Sequence, residues 1–223
     1  FAEACDELER AEDFDEAVHD LIKRYAREHQ RIVFNGNGYS DEWVEEAKRR
    51  GLPNLKSMVD AIPALVTEKS IELFGKFGVF TKAELESRVE IQFEAYAKVI
   101  NIEARSMIDI ASKQIIPAVI KYTKSLADTV NSVMAAGVDA DVQRELLKET
   151  SVLLSQTKDA LKKLTEVAAK AAAMEAGEAQ ARYYYEVVMP AMSSLRTPVD
   201  ELEMIVDKEM WPMPSYGDLI FEV

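Results

Sequence analysis

Apolar side chains recur along most of this chain at intervals of three and four, the spacing that gathers them on one face of an α-helix. Val18, Leu21, Ile22 and Tyr25 mark such a face, and Asp13 stands where it can cap a helix over about residues 14–31. A longer stripe starts at Leu85 and runs through Val89, Phe93, Tyr96, Ile100 and Met107. It continues past Ile115 and Val119 to Val130 and Met134. Thr81, with Glu84 three residues on, reads as the capping box that opens it. Unbroken to Ala135, this helix would reach ~80 Å at ~1.5 Å per residue. Pro117 predicts a kink inside it, because the ring removes one backbone donor and crowds the preceding turn.

Ala135-Ala136-Gly137-Val138-Asp139 reads as a helix–helix turn, with Gly137 as C-terminal cap and Asp139 able to cap the next helix. That helix carries Leu147, Leu154, Leu161, Leu164, Ala168 and Ala171 at heptad-like intervals, and Gly177 marks its expected end. The last helical stretch shows Tyr185, Val188, Met192, Leu195, Val199, Leu202 and Val206. Pro190 predicts a kink there and Thr197-Pro198 a restart, with threonine as cap and proline in the first turn. Trp211-Pro212-Met213-Pro214 breaks the helix, leaving an extended tail through Leu219, Ile220 and Phe221.

One stretch departs from this pattern. Arg31-Ile32-Val33-Phe34 is short and β-prone, and Asn35-Gly36-Asn37-Gly38 comes next, made of residues that tolerate positive φ. Ser40 then caps a helix with Asp41 and Glu42 in its first turn, ending at Arg49, Arg50 and Gly51 before Pro53. Residues 56–78 read as short helices interrupted at Pro63, Gly75 and Gly78. The fold class expected is all-α. Long kinked amphipathic helices form an antiparallel bundle, with a smaller helical N-terminal part and an extended C-terminal tail.

Composition narrows the partners. The 223 residues carry a formal net charge of −13, which makes nucleic acid and anionic membrane surfaces poor partners. No apolar run approaches the ~20 residues that span a bilayer. Cys5 is the single cysteine, so an intrachain disulfide is excluded and a reducing compartment fits. The chain opens at Phe1 inside a helix-like pattern (Phe1, Ala4, Cys5, Leu8), from which a piece of a longer protein is expected.

Candidate chemistry is sparse. Gly36-Asn37-Gly38 lacks the Lys-Ser/Thr ending of a phosphate loop and the third glycine of a dinucleotide fingerprint, so a structural turn is the stronger reading. Glu16 and His19 have the Glu-x-x-His spacing of di-iron bundles, but His29 heads no second pair. Cys5 has only those two histidines as possible bases. Of Tyr183-Tyr184-Tyr185, one is expected in the core and two at its margin, and Glu42, Glu45 and Glu46 read as solvated surface. No catalytic, cofactor-binding or metal-binding residue is assigned. On the residues alone, an independent helical interaction module stands as the alternative reading.

Several blocks nevertheless resemble type III glutamine synthetases near their C-terminal end. They are Arg31-Ile32-Val33-Phe34-Asn35-Gly36-Asn37-Gly38-Tyr39-Ser40, Arg50-Gly51-Leu52-Pro53-Asn54-Leu55 and Val59-Asp60-Ala61-Ile62-Pro63-Ala64-Leu65. Further along come Phe77–Arg88, Ile102–Asp109, Ile115–Ile120 and the closing Pro212–Phe221. The resemblance implies a parent that joins ammonia to glutamate with ATP, using Mg²⁺ or Mn²⁺, and whose ligands lie upstream of Phe1. It implies that residues 1–110 end the catalytic domain and that 111–223 form a type-specific helical extension. It also implies a cytoplasmic homo-oligomer of two stacked hexameric rings, in which this region serves assembly and is inactive by itself.

Overall fold

The computed structural model describes residues 1–221 and divides into two compact units, Phe1–Lys56 and a second from Ser57 onward. Among the described residues every regular element is helical.

In the first unit, α1 (Ala2–Glu9) packs against α2 (Phe14–Glu28). Asp13 caps α2 as expected, accepting from the Glu16 N–H at 3.1 Å. Arg24 on α2 donates twice to the Glu7 carboxylate, at 2.9 and 2.6 Å. The helix stops at Glu28, short of residue 31, and a 3₁₀ turn covers Gln30–Ile32. The β-prone run forms no strand. A strand needs a neighbouring backbone to pair with, whereas here the Arg31 and Val33 carbonyls turn to the Arg50 guanidinium, at 3.4 and 2.7 Å.

Helix α3 (Asp41–Arg49) starts on Ser40, whose hydroxyl accepts from the Trp43 N–H at 3.4 Å. It ends on Gly51 at φ +69°, where the Leu52 N–H reaches the Ala47 carbonyl and the Gly51 N–H that of Lys48. That is the paired bonding of a Schellman stop. Only Leu21 and Ala47 are buried in residues 1–56, while Phe14, Ile22, Ile32 and Val33 stand more than half exposed.

The second unit begins with α4 (Met58–Ala61), a 3₁₀ turn at Ile62–Val66 and α5 (Glu68–Lys76), capped by the Ser57 and Thr67 hydroxyls. Pro63 lies in the first turn of the 3₁₀ segment, and Gly75 lies inside α5 rather than breaking it. Gly78, at φ +62°, ends α5. Helix α6 (Lys82–Ile110) opens with the expected capping box: the Thr81 N–H donates to Glu84 Oε2 at 2.7 Å, and the Glu84 N–H to Thr81 Oγ1 at 3.3 Å.

Beyond α6 come α7 (Ile116–Ala135), α8 (Asp141–Ala172), α9 (Glu178–Tyr183), α10 (Met189–Ile205) and α11 (Tyr216–Phe221). Helix α8 packs along both α7 and α10. The largest buried cluster joins Ala97 and Ala104 of α6, Leu164 and Ala171 of α8, and Tyr184, Val188 and Leu195. A second gathers Ile115, Val119, Leu153, Leu202 and Val206, and a third Val59, Ile62, Phe93 and Ala181.

Both prolines expected to kink a helix sit just beyond a widened turn. A π turn at Ala111–Ile115 precedes Pro117, and another at Tyr184–Val188 precedes Pro190. In each, the helix bond skips one residue further, Ile116 N–H to Ala111 O and Met189 N–H to Tyr184 O. The wider turn accommodates a ring that would otherwise crowd the carbonyl four residues back. The buried stripe of the last helices is Tyr184, Val188, Ala191, Leu195, Pro198, Leu202 and Val206; Val188, Leu195, Leu202 and Val206 lie where the even spacing put them, while Tyr185, Met192 and Val199 are half-buried at its margin.

Four other expectations are corrected. Thr197-Pro198 is not a restart: Pro198 lies inside α10, and Thr197 Oγ1 donates backwards to the Ser193 carbonyl at 3.1 Å. Asp139 caps nothing, since α8 begins after Ala140 without a side-chain cap. Helix α8 ends at Ala172, and Gly177, at φ +138°, instead begins α9. The tail is not extended through Leu219–Phe221 but helical, because Ser215 and Asp218 form their own capping box and Lys208 holds Asp218 at 2.8 Å.

Candidate functional site

The turn at residues 34–40 is the most specified local structure in the first unit. The Asn37 side chain accepts from the Tyr39 N–H at 3.0 Å, and Ser40 Oγ donates to the Asn37 carbonyl at 3.0 Å. Phe34 stacks on Trp43, with ring centroids 4.2 Å apart and planes 24° from parallel. The Arg50 guanidinium lies 5.6 Å from the Trp43 ring centre and bonds Glu46 through Nε at 2.5 Å. Arg50 therefore ties together the carbonyls before the turn, the aromatic ring after it and the helix carrying both.

The expectation of positive φ at Gly36 and Gly38 fails, as neither adopts it. Gly36 has a different constraint: a Cβ there would stand 2.7 Å from the Phe34 ring, which would have to shift. Around Gly38 there is open space. Tyr39 projects fully into solvent from the crest of the turn.

Glu46 is the most perturbed carboxylate here. Hydrogen bonds from Arg49 and then Arg50 hold its pKa at about 2, against an ordinary 4.5. A shallow hollow of about 460 Å³ is lined by Gln30, Arg31, Val33, Glu46, Arg49 and Arg50. Of its cations, Arg49 is already engaged by Glu46 and Arg50 by Glu46 and backbone carbonyls. The Arg50 clamp was not legible as such, since the sequence showed it only as part of a basic last turn. The Glu46–Arg50 spacing of four was the available signal.

The remaining candidates do not converge. Cys5 and His19 are exposed, and His29 makes an edge contact with Tyr25 at 5.8 Å. Tyr184 is the core tyrosine, and burial pushes its hydroxyl pKa up; Tyr183 and Tyr185 are half-buried. Among the described residues, no three His, Cys, Asp or Glu side chains stand together in a way that would hold a metal ion. None of the described helices is long and apolar enough to cross a membrane.

Comparison with known proteins gives this architecture a family. Residues 17–134 match the family model for the glutamine synthetase C-terminal domain. Glutamine synthetase of Butyrivibrio fibrisolvens is 36% identical over 210 residues, covering 93% of this chain and 30% of that protein. Type-3 glutamine synthetase of Dictyostelium discoideum is 36% identical over 211 residues, with 92% and 29% covered. Glutamine synthetase of Bacteroides fragilis (strain YCH46) is 32% identical over 213 residues, with 93% and 29% covered. The chain thus spans about 30% of the length of these relatives. By the family model and these identities, it belongs to the glutamine synthetase family, in the region of that family's C-terminal domain.

Proposed function

We propose that this chain is the structural and assembly region of an enzyme that forms glutamine from glutamate and ammonia with ATP. The observation that carries this is the sparse burial of residues 1–56, which enclose only Leu21 and Ala47. A unit that small does not stabilise itself on two buried side chains. Its exposed apolar side chains, Phe14, Ile22, Ile32 and Val33 among them, suit packing on further protein, as those in the closing part of a larger catalytic domain would.

In this reading residues 1–110 finish the catalytic domain and 111–223 add a helical extension that supports a cytoplasmic assembly of two hexameric rings. ATP and Mg²⁺ or Mn²⁺ belong to the parent enzyme. The described side chains here do not fit such a metal, and no metal-dependent step is assigned to them. Glutamine formation by the product of the whole gene and by the 223-residue chain tests the proposal. Activity that needs glutamate, ammonia, ATP and Mg²⁺ is expected in the former and none in the latter. Activity in the 223-residue chain would overturn the division of labour, and a whole product without it would overturn the enzyme assignment.

A further inference from the structure

Along α6, the face beside α8 has an order that reads nearly alike from either end. Ile91, Glu94, Lys98, Asn101, Arg105 and Ile108 succeed one another at alternating steps of three and four, which on a helix makes one face. Taken from the ends inward, the pairs are Ile91 with Ile108, Glu94 with Arg105, and Lys98 with Asn101. They match apolar with apolar, anion with cation, and ammonium with amide.

This face is open. Ile91 is 60% exposed, Glu94, Lys98 and Arg105 are exposed, and Asn101 and Ile108 are half-buried. A hollow of about 610 Å³ lies at the Ile91–Glu94 end, and one of about 530 Å³ at the Arg105–Ile108 end. A smaller hollow of about 220 Å³, touching Glu94, Lys98 and Asn101, joins them. The far wall consists largely of Ala168, Ala169, Ala172 and Ala176, so another helix can approach closely. Arg105 makes no ion pair among the described residues, Glu94 pairs only with Lys98 one turn on, and Asp109 is neutralised by Lys113.

We infer that this groove receives a second copy of the same chain, α6 against α6, antiparallel across a two-fold axis. A two-fold interface must be complementary to itself, with residue i meeting j and j meeting i. The reversed order of Glu94 and Arg105 about the centre provides that: each Glu94 meets Arg105 of the other copy, twice per dimer. A parallel pairing would set Glu94 against Glu94 and Arg105 against Arg105, so the charges also select direction. Ile91 of each copy covers Ile108 of the other and closes the ends of the groove. The inference deepens the assembly reading, on which it rests, by naming one contact surface.

Charge reversal in the 223-residue chain tests it, read by sedimentation velocity over a concentration series. Glu94→Arg and Arg105→Glu each turn two attractions into repulsions and should raise the dimer dissociation constant by about tenfold or more. The double variant restores the pairing and should return to within about threefold of the unmodified chain. In a Cys5→Ser background, Glu94→Cys with Arg105→Cys should give a covalent dimer that reductant dissolves; far-ultraviolet circular dichroism checks that each variant is folded. A folded chain that stays monomeric and gives no cross-link overturns the inference, as does a dimer indifferent to both reversals or a reversal without rescue. Arg105→Glu in the whole gene product separates the two readings. If that product keeps its full assembly, the assembly role stands and the seam falls. If the seam holds in the 223-residue chain while the whole product assembles without residues 111–223, the assembly role falls and the seam stands.

Discussion

Phe34 lies against Gly36 so closely that a methyl group on the glycine would stand 2.7 Å from the ring edge. The same ring is stacked on Trp43. Gly36→Ala must therefore displace the ring and loosen the stack, at a cost of about 1 kcal/mol. Gly38→Ala meets open space at negative φ and should be neutral or stabilising by a few tenths of a kcal/mol, about the lower range for such changes. Hydrogen exchange across residues 33–50 reads the difference. Equal protection in both variants would show that the ring does not depend on Gly36.

Acid should release two surface clamps. Glu46 is held at about 2 against an ordinary 4.5 by Arg49 and Arg50, and Asp218 at about 2 against 3.8, first by Lys208 and then by Ser215. Both values are lowered by folding, so each contribution is complete above the ordinary pKa and fades as pH falls towards about 2. Carbon-detected titration of the two carboxyls should give midpoints near 2. Values at 4.5 and 3.8 would mean the clamps do not form in solution. Both groups are half-buried at the surface and still reach solvent, so the effect is local and salt weakens it.

The widened turn before Pro117 is held by packing on both sides, with Ala104 and Ala111 in one cluster and Ile115 and Val119 in the next. Pro117→Ala should therefore keep the π turn and change stability by less than about 1 kcal/mol. Deleting the exposed Ser112 removes the extra residue and rotates one helix by about 100° relative to the other. That misplaces a full row of core side chains and should cost about 3 kcal/mol or more. Urea melts of the two variants decide it, and a deletion as stable as the unmodified chain would show the turn to be incidental.

Helix α8 offers a test of which leucines carry the core. Leu164 is fully buried, while Leu147, first in the heptad-like spacing, is only half-buried. Leu164→Ala should lose about 3 kcal/mol and Leu147→Ala about 1 kcal/mol. The buried Thr157 bonds the Leu153 carbonyl at 2.8 Å within its own helix. That carbonyl also lies in the helical bond ladder, so Thr157→Val should be close to neutral. Equal losses at the two leucines would show that Leu147 carries the core as fully as Leu164.

Several helix starts and stops were legible because they are local, though the roles expected of Asp139, Gly177 and Thr197 were not those the chain uses. Asp13, Ser40 and Thr81 cap as their side chains dictate, and Gly51, Gly78 and Gly137 take the positive φ a helix stop needs. The helical class came from the same three–four spacing. Val119, Val130, Val188, Leu195, Leu202 and Val206 are buried as that spacing expects. The π turns leave no mark in the apolar pattern, and at the one over Tyr184–Val188 it is Tyr184 rather than Tyr185 that enters the core. The Asn/Gly turn was located correctly but explained wrongly. Its constraint is a ring from Phe34, two residues away, which only three-dimensional placement reveals. The Arg50 clamp escaped for the same reason, since its acceptors lie 17 and 19 residues earlier in the chain.

The two π turns also bear on how a chain of this kind changes length over generations. A helix clamped into a core at both ends normally cannot gain or lose a residue without turning one end out of register. A turn that closes over five residues instead of four absorbs a one-residue insertion and leaves the rows above and below it seated. Ala111–Ile115 and Tyr184–Val188 are two such absorbers. Single-residue gaps between related sequences should therefore gather at these two turns.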